Sequence, residues 1–537
     1  MPVFVGSSGD ETELKSDRVG FAVSTANPSS ASAGDSYFNS TDKQLKVYNG
    51  SDWDSVGAGG GISDGLIASG TLSDGSTVII NTDGTVSVVT GSSTPSGGTA
   101  TVFATSDSVY ISTVYDSTNN KVVIAYQDHG SSDYGTAVVG TVSGTSISFG
   151  TPVVFNSDAT YFVDVVYDST NGKIVIAYCD VVGNTSNGKA KVGTVSGTSI
   201  TFGSQQTFIS HNTNTGNYVR YTSAVYDPNA DRVVIVYQNP ANSSAGTAIV
   251  GSVSGTSITF GTPVEFESGT TQEPSLTYDS SNQKVVIAFR DNTDGGKGKV
   301  VVGEVSSNTI VFGSATTFLV PYTQYISATY DSSNQKVVIA YHNGDTGKGE
   351  AIVGTITGTS ISYGSSVIFE QDSTVAISAV FDSNINKVAI AYYDGGNSSY
   401  GTVILGTVSG TSISFGTSAV FKSSNVNHIS LTFDSTNNKI VAGYHDVGNS
   451  FYGTATVISP TSTNLTSTNF LGFSDGAYTN GQTTKIQIAG SVDDAQSSLT
   501  PGTQYYVQND GSLSSSAGSP SVLAGTAISS TKIIVRK

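Results

Sequence analysis

One cysteine, one methionine and one tryptophan stand in 537 residues. Cys179 has no second cysteine to pair with, so no internal disulfide can form, and its expected role is that of a small apolar filler. Charge is scarce too: 12% of residues are charged, with 23 Lys and Arg against 41 Asp and Glu, a net charge of −18. So few cations argue against a nucleic-acid partner, which requires clustered Lys and Arg. The acidity is read as solubility. No stretch of about 18 apolar residues occurs, so no membrane insertion is expected. The first residues show no basic segment followed by an apolar run, so no secretory signal is expected, and synthesis in a cytoplasm is. No long stretch repeats at the helical period. Nucleophile elbow, phosphate loop and dinucleotide fingerprint are all missing from the strand–turn–helix setting they need. The five histidines, His129, His211, His342, His428 and His445, show no short metal-ligand spacing. The expectation is no cofactor, no metal and no enzyme.

What is present is repetition. An aromatic–Asp pair recurs at Tyr115-Asp116, Tyr167-Asp168, Tyr226-Asp227, Tyr278-Asp279, Tyr330-Asp331, Phe381-Asp382 and Phe433-Asp434, in steps of 52, 59, 52, 52, 51 and 52 residues. A second aromatic follows eleven positions later, from Tyr126 to Tyr444. A period in this range marks a propeller, solenoid or array. Each unit reads as four strands: A ends at the anchor pair, B runs as in Lys121 to Tyr126, C as in Thr136 to Val142, D as in Ser146 to Phe155. Four strands in roughly 50 residues, seven times over, predicts an all-β chain built on a seven-bladed β-propeller with flanking small β-domains. The expected divisions are 1–60, an N-terminal β-module and Gly-rich joint; 61–98, a β-hairpin connector that contributes the closing strand; 99–459, the propeller; and 460–537, a C-terminal β-domain. Residues 85–103 are expected to pair beside 453–459, which removes two open sheet edges.

Two flanking stretches carry a resemblance. Gly34 to Asn39 followed by Gln44 to Gly50, closed by Trp53, resembles the small β-modules near the ends of tailed-phage fibre and appendage proteins. Phe470-Leu471-Gly472-Phe473, Leu499 to Val507 and Ala524 to Val535 are similar to a small C-terminal β-domain of structural proteins of tailed phages, marine (cyanophage-like) ones in particular. Together they cover about a fifth of the chain. The resemblance implies a virion appendage such as a tail fibre, exposed on the particle and assembled in the host cytoplasm. Its partners would be other virion proteins and a host cell-surface carbohydrate or protein, and it admits a homo-oligomer such as a trimer. Host attachment without catalysis is the expected function. The alternatives are a head or tail decoration without receptor binding and a carbohydrate depolymerase.

Two sets of repeated polar residues read as structural. A small polar residue sits three before each anchor (Ser112, Asp164, Ser223, Ser275, Ser327, Ser378, Ser430), where crowding near a propeller axis favours small side chains. The anchor aspartates sit at tight turns and are expected to bond local backbone N–H groups. Variation concentrates instead on one rim, where B–C and D–A loops are long and dissimilar, as on a scaffold presenting recognition loops. The one sizeable insertion, Ile209 to Arg220, lies in a D–A loop. The candidate ligand-binding residues are therefore His211, Asn217, Tyr218 and Arg220, with Tyr134, Tyr400 and Tyr452 at the ends of B–C loops, placed to stack on sugars.

Overall fold

The computed structural model describes residues 62–92, 94–213, 217–320, 322–460, 462–518 and 521–536, with short runs within 22–56 before them. Of the expected N-terminal module and joint, residues 1–21 and 57–61 lie outside the described residues. The chain divides into two compact units, one of 93–461 and one formed from the segments on either side of it.

Strand B explains why the repeat folds. In the first unit of the array Lys121–Asp128 has every residue from Val122 to Gln127 buried. Successive side chains on a strand point to opposite faces. Val122, Ile124 and Tyr126 accordingly pack with Val441, Ala455 and Val457, while Val123 and Ala125 pack with Ile174, Ile176 and Tyr178. A strand covered on both faces reads as an unbroken apolar run. Each Val or Ile buried this way stabilises by roughly 1.5–3 kcal/mol, so neighbouring sheets hold each other face to face.

The second aromatic of the repeat has a defined partner. Tyr126 meets Phe103 at 5.1 Å between ring centroids, Tyr178 meets Phe155 at 5.2 Å, and Tyr444 meets Phe421 at 5.5 Å. Each phenylalanine lies over a glycine near the start of strand C. A Cβ on Gly135 would stand 2.4 Å from Phe155, and one on Gly453 the same distance from Phe103.

Strands D and A are less separate than the sequence suggests. Val153–Asp168 is one strand: its first part pairs with Tyr134–Ala137 of one sheet, its second with Lys173–Val181 of the next. Thr101–Asp116, Val264–Asp279 and Ala419–Asp434 are built the same way. No D–A loop exists in these units. The expected Ile209–Arg220 loop is partly strand as well, because Gln206–Asn212 pairs with 185–190, including His211 with Ser186. The insertion lengthens a hairpin before it leaves the sheet.

The ends of the array meet. Thr101 pairs with Ala455 and Val102 with Thr454, and Ser96–Gly97 pairs with Ile458 and Ser459. The inner strand ending at Tyr115 lies beside those ending at Tyr167 and Phe433, so the succession of neighbours returns to its start. The closing pairing beside 453–459 is therefore made by residues 96–104, which take in the latter part of the expected stretch, whereas Val86–Val88 pairs elsewhere.

The expected connector is part of something else. Thr77–Ile80 and Val86–Val88 form the expected hairpin, but it joins a five-stranded sheet with Ile62–Ile67, Phe470–Ser474 and Thr483–Gln487. A second sheet contains Gln504–Val507, Val522–Ala527 and Ile533–Val535. Ile79 and Val89 share one core with Phe470, Phe473, Val507, Val522 and Ile533. Residues 62–92 and 462–536 are thus one unit, where the sequence reading gave a connector and a separate C-terminal domain. The physical reason is that a two-stranded hairpin is marginal by itself, and Phe470–Ser474 lies between Thr77–Ile80 and Thr483–Gln487 in the sheet, so the hairpin is completed only by the later segment. Upstream, Ser36–Asn39 pairs with Gln44–Val47, and Leu45–Tyr48 with Trp53–Val56.

Candidate functional site

Two polar belts are structural. Asp116 Oδ1 accepts from the backbone N–H groups of Thr118 and Asn119, both at 3.0 Å, and the same cap recurs at Asp331 and Asp434. The small residues three before each anchor link one inner strand to the next. Ser112 Oγ accepts from Val165 N (3.2 Å), Ser327 from Ala379 N (2.9 Å), Ser378 from Leu431 N (3.0 Å) and Ser430 from Thr113 N (3.0 Å). The last of these crosses the closure. Asp164 plays the same part more strongly. Its carboxylate accepts from Ser112 Oγ (2.6 Å), Ala224 N (2.7 Å), Val165 N (3.0 Å) and Ser223 Oγ (3.2 Å). Enclosure by the surrounding sheets nevertheless holds its carboxyl above the ordinary range.

Two residues before each of these, strand A bulges. The register jumps between Val109 and Ser112, and likewise in every later repeat. The bulged residues are Tyr110, Phe162, Tyr221, Glu273, Tyr325, Ala376 and His428, all with φ between 46° and 54°. Positive φ is costly for bulky side chains and persists only where the surroundings over-determine it. The backbone device is constant here, whereas the side chain it presents changes from repeat to repeat.

Four of these side chains form an aromatic arc. His428 lies 5.5 Å from Tyr110, Tyr110 lies 4.9 Å from Phe162, and Phe162 lies 5.1 Å from Tyr221. Further along, Arg290 is buried between Gln272 Oε1 (2.5 Å), Glu273 Oε1 (3.1 Å) and the Tyr322 hydroxyl (3.0 Å). Glu273 Oε2 also accepts from Tyr325 N at 2.5 Å. Burial raises the Glu273 carboxyl despite the neighbouring guanidinium.

Beside the arc opens a cavity of about 430 Å³, lined by Tyr110, Tyr161, Phe162, Cys179, Val181, Tyr218, Val219 and Arg220. The Arg220 guanidinium stands 5.7 Å from the centre of the Tyr218 ring. Burial raises the phenols of Tyr110 and Tyr161, which stay neutral hydrogen-bonding groups. Cys179 forms part of the wall, its thiol beside Ser186 Oγ at 3.2 Å and pushed up to about 12 by burial, so it is no nucleophile near neutral pH. A mostly apolar, aromatic wall with one charged group is the usual make-up of a small-molecule site.

Of the residues expected at a site, Tyr218 and Arg220 meet in this cavity. The others do not line it. His211 is half-buried within its strand, and Asn217 is exposed outside regular structure. Tyr134, Tyr400 and Tyr452 are half-buried and are the first residues of strand C, paired with Asp128, Asp394 and Asp446 rather than carried on loops. The strands simply begin earlier than their apolar runs. Sequence reasoning missed Tyr110, Tyr161 and Phe162. The signal was present as an aromatic column five positions before the anchor, at Tyr110, Phe162, Tyr221 and Tyr325.

No protein-family model matches the chain, and no curated protein matches it. Among solved structures it is similar to a protein of unknown function from Dyadobacter fermentans (10% identity, TM-score 0.41, covering 68% of this chain and 98% of that one). It is also similar to the lectin of Aleuria aurantia, described as a six-bladed β-propeller recognising fucose (14%, 0.36, 60% and 98%). A third is the α-L-arabinanase of Penicillium chrysogenum, solved with arabinobiose (10%, 0.37, 72% and 98%). At these scores the likenesses decide neither blade number nor ligand.

Proposed function

We propose that residues 93–461 form a seven-bladed β-propeller that serves as the recognition module of a tailed-phage virion appendage, binding a host-surface carbohydrate without cleaving it. The blade number is supported by one inner strand per repeat and by the closing pair Thr101–Ala455. The virion assignment is supported by the resemblance of residues 20–56 and 460–537 to appendage modules. Carbohydrate binding is carried by the cavity of Tyr110, Tyr161, Phe162, Tyr218 and Arg220. Amphipathic aromatic faces suit the C–H faces and hydroxyls of a sugar ring. Among the described residues of the wall there is no carboxylate, whereas glycosidic hydrolysis ordinarily uses two flanking the scissile bond, which supports binding over cutting.

The test is adsorption to host cells and a glycan array, with the wild type and Tyr110→Ala/Phe162→Ala. The wild type should bind a defined subset of glycans and compete with virions for cells, releasing no oligosaccharide, and the double variant should lose both activities. Release of oligosaccharides, or adsorption indifferent to the double change, would refute the reading.

A further inference from the structure

We infer that the cavity selects an acidic saccharide, a pyranose whose carboxylate pairs with Arg220 while its ring lies against the Tyr110, Tyr161 and Phe162 side chains. The inference rests on the carbohydrate reading above and sharpens it.

The repeats hold three arginines, and two of them are occupied. Arg232 donates from Nε to Asn308 Oδ1 (2.9 Å) and from Nη1 to the Asp231 carbonyl (2.7 Å), fastening turns together. Arg290 is 7% exposed and saturated on one side by Gln272, Glu273 and Tyr322. Arg220 differs: it is exposed, its guanidinium stands over the Tyr218 ring, and among the described residues no ion pair or side-chain hydrogen bond holds it. Among the described residues no carboxylate lines the cavity with it. In a chain with 41 acidic residues to 23 basic ones, an arginine in a concave site without an acid beside it leaves a planar fork of donors open. That fork matches a carboxylate in bidentate fashion. The Tyr218 ring under the guanidinium restricts where it points.

A neutral sugar would use the aromatic walls and leave this fork idle. A small inorganic anion would use the fork and leave the walls idle. A carboxylated pyranose uses both, and a volume of about 430 Å³ falls within the range of small-ligand sites. The overall negative charge opposes the approach of any anion, so the pairing should be of moderate affinity and read mainly through local contacts.

The full chain is applied to an array of matched glycans, uronides with their parent hexosides and sialylated glycans with their asialo forms. Binding should be confined to acidic members, about tenfold or more above their neutral partners. Arg220→Gln should erase that preference with the melting temperature unchanged, and Arg220→Lys should restore only part of it. Raising salt should weaken acidic members selectively. Equal binding of neutral partners, unaffected by Arg220→Gln but lost in Tyr110→Ala, would overturn the acid selectivity and leave sugar recognition standing. Binding to no glycan would overturn both.

Discussion

Asp164 offers a sharp test of the inner belt. In the equivalent position every other repeat has serine, and five of the serines accept a backbone N–H of the next inner strand. Asp164→Ala leaves Ala224 N without its 2.7 Å acceptor and removes a partner from two hydroxyls. A buried donor left unmade costs about 1–3 kcal/mol, so about 2 kcal/mol is expected. With an unfolding entropy of about 2.1 cal/mol/K per residue over roughly 370 residues, that lowers the melting temperature by about 2–3 °C. Asp164→Ser restores the acceptor the other repeats use and removes an enclosed charge. It should be neutral or stabilising at pH 7. The sign of the pH effect follows from the raised carboxyl. The native state holds this proton more tightly than the unfolded chain, so the carboxyl's contribution is fully present below about 3.8 and lost as pH rises through the native value. The advantage of Asp164→Ser over wild type should therefore shrink between pH 7 and pH 3.5. Scanning calorimetry of the three proteins at both pH values reads all of this. If serine destabilises as much as alanine at pH 7, with the same gap at pH 3.5, the belt does not work as described.

Gly298→Ala sets a Cβ 2.5 Å from Phe318 and 2.7 Å from Thr323 Oγ1, and the overpacking should cost about 1–3 kcal/mol, measurable as an earlier denaturant midpoint. Glu273→Ala strips the buried Arg290 of its carboxylate and should cost about 3 kcal/mol, whereas Glu273→Ala/Arg290→Met should recover much of it. Burial, with His445 at 5.9 Å and only partly offset by Asp107, depresses the His428 imidazolium to about 4. Its contribution to stability is present above about 6.5 and lost as pH falls towards 4, so wild type should lose about 2 kcal/mol relative to His428→Gln between pH 7 and 4.5, checked by urea melts at each pH.

The repeat was legible because its signals are local. The apolar run Val122–Tyr126 announces a strand covered on both faces, and the Asp116 turn caps itself within three residues. The candidate site was less so. A regular strand alternates strictly, and nothing in Val109-Tyr110-Ile111-Ser112 says that the backbone will turn to φ 51° at a tyrosine. Loop length was read as the place for variation, and this found Tyr218 and Arg220 but missed the strand-borne aromatics beside them. The partnership of Phe470–Ser474 with Thr77–Ile80 was invisible for another reason. Its strands are nearly 400 positions apart, and each alone has the pattern of an ordinary short hairpin strand.

That partnership bears on how the protein is made. The small unit is split, with residues 62–92 emerging first and 462–536 only after the whole array. At about 5–20 residues per second, the roughly 370 intervening residues take about 20–70 s to synthesise. Through that interval the hairpin of Thr77–Ile80 and Val86–Val88 carries two bare edges, and Ile79 and Val89 have no core to enter. Until residues 462–536 emerge, this hairpin is open to chaperones, proteases and mispairing with neighbouring ribosomes' products.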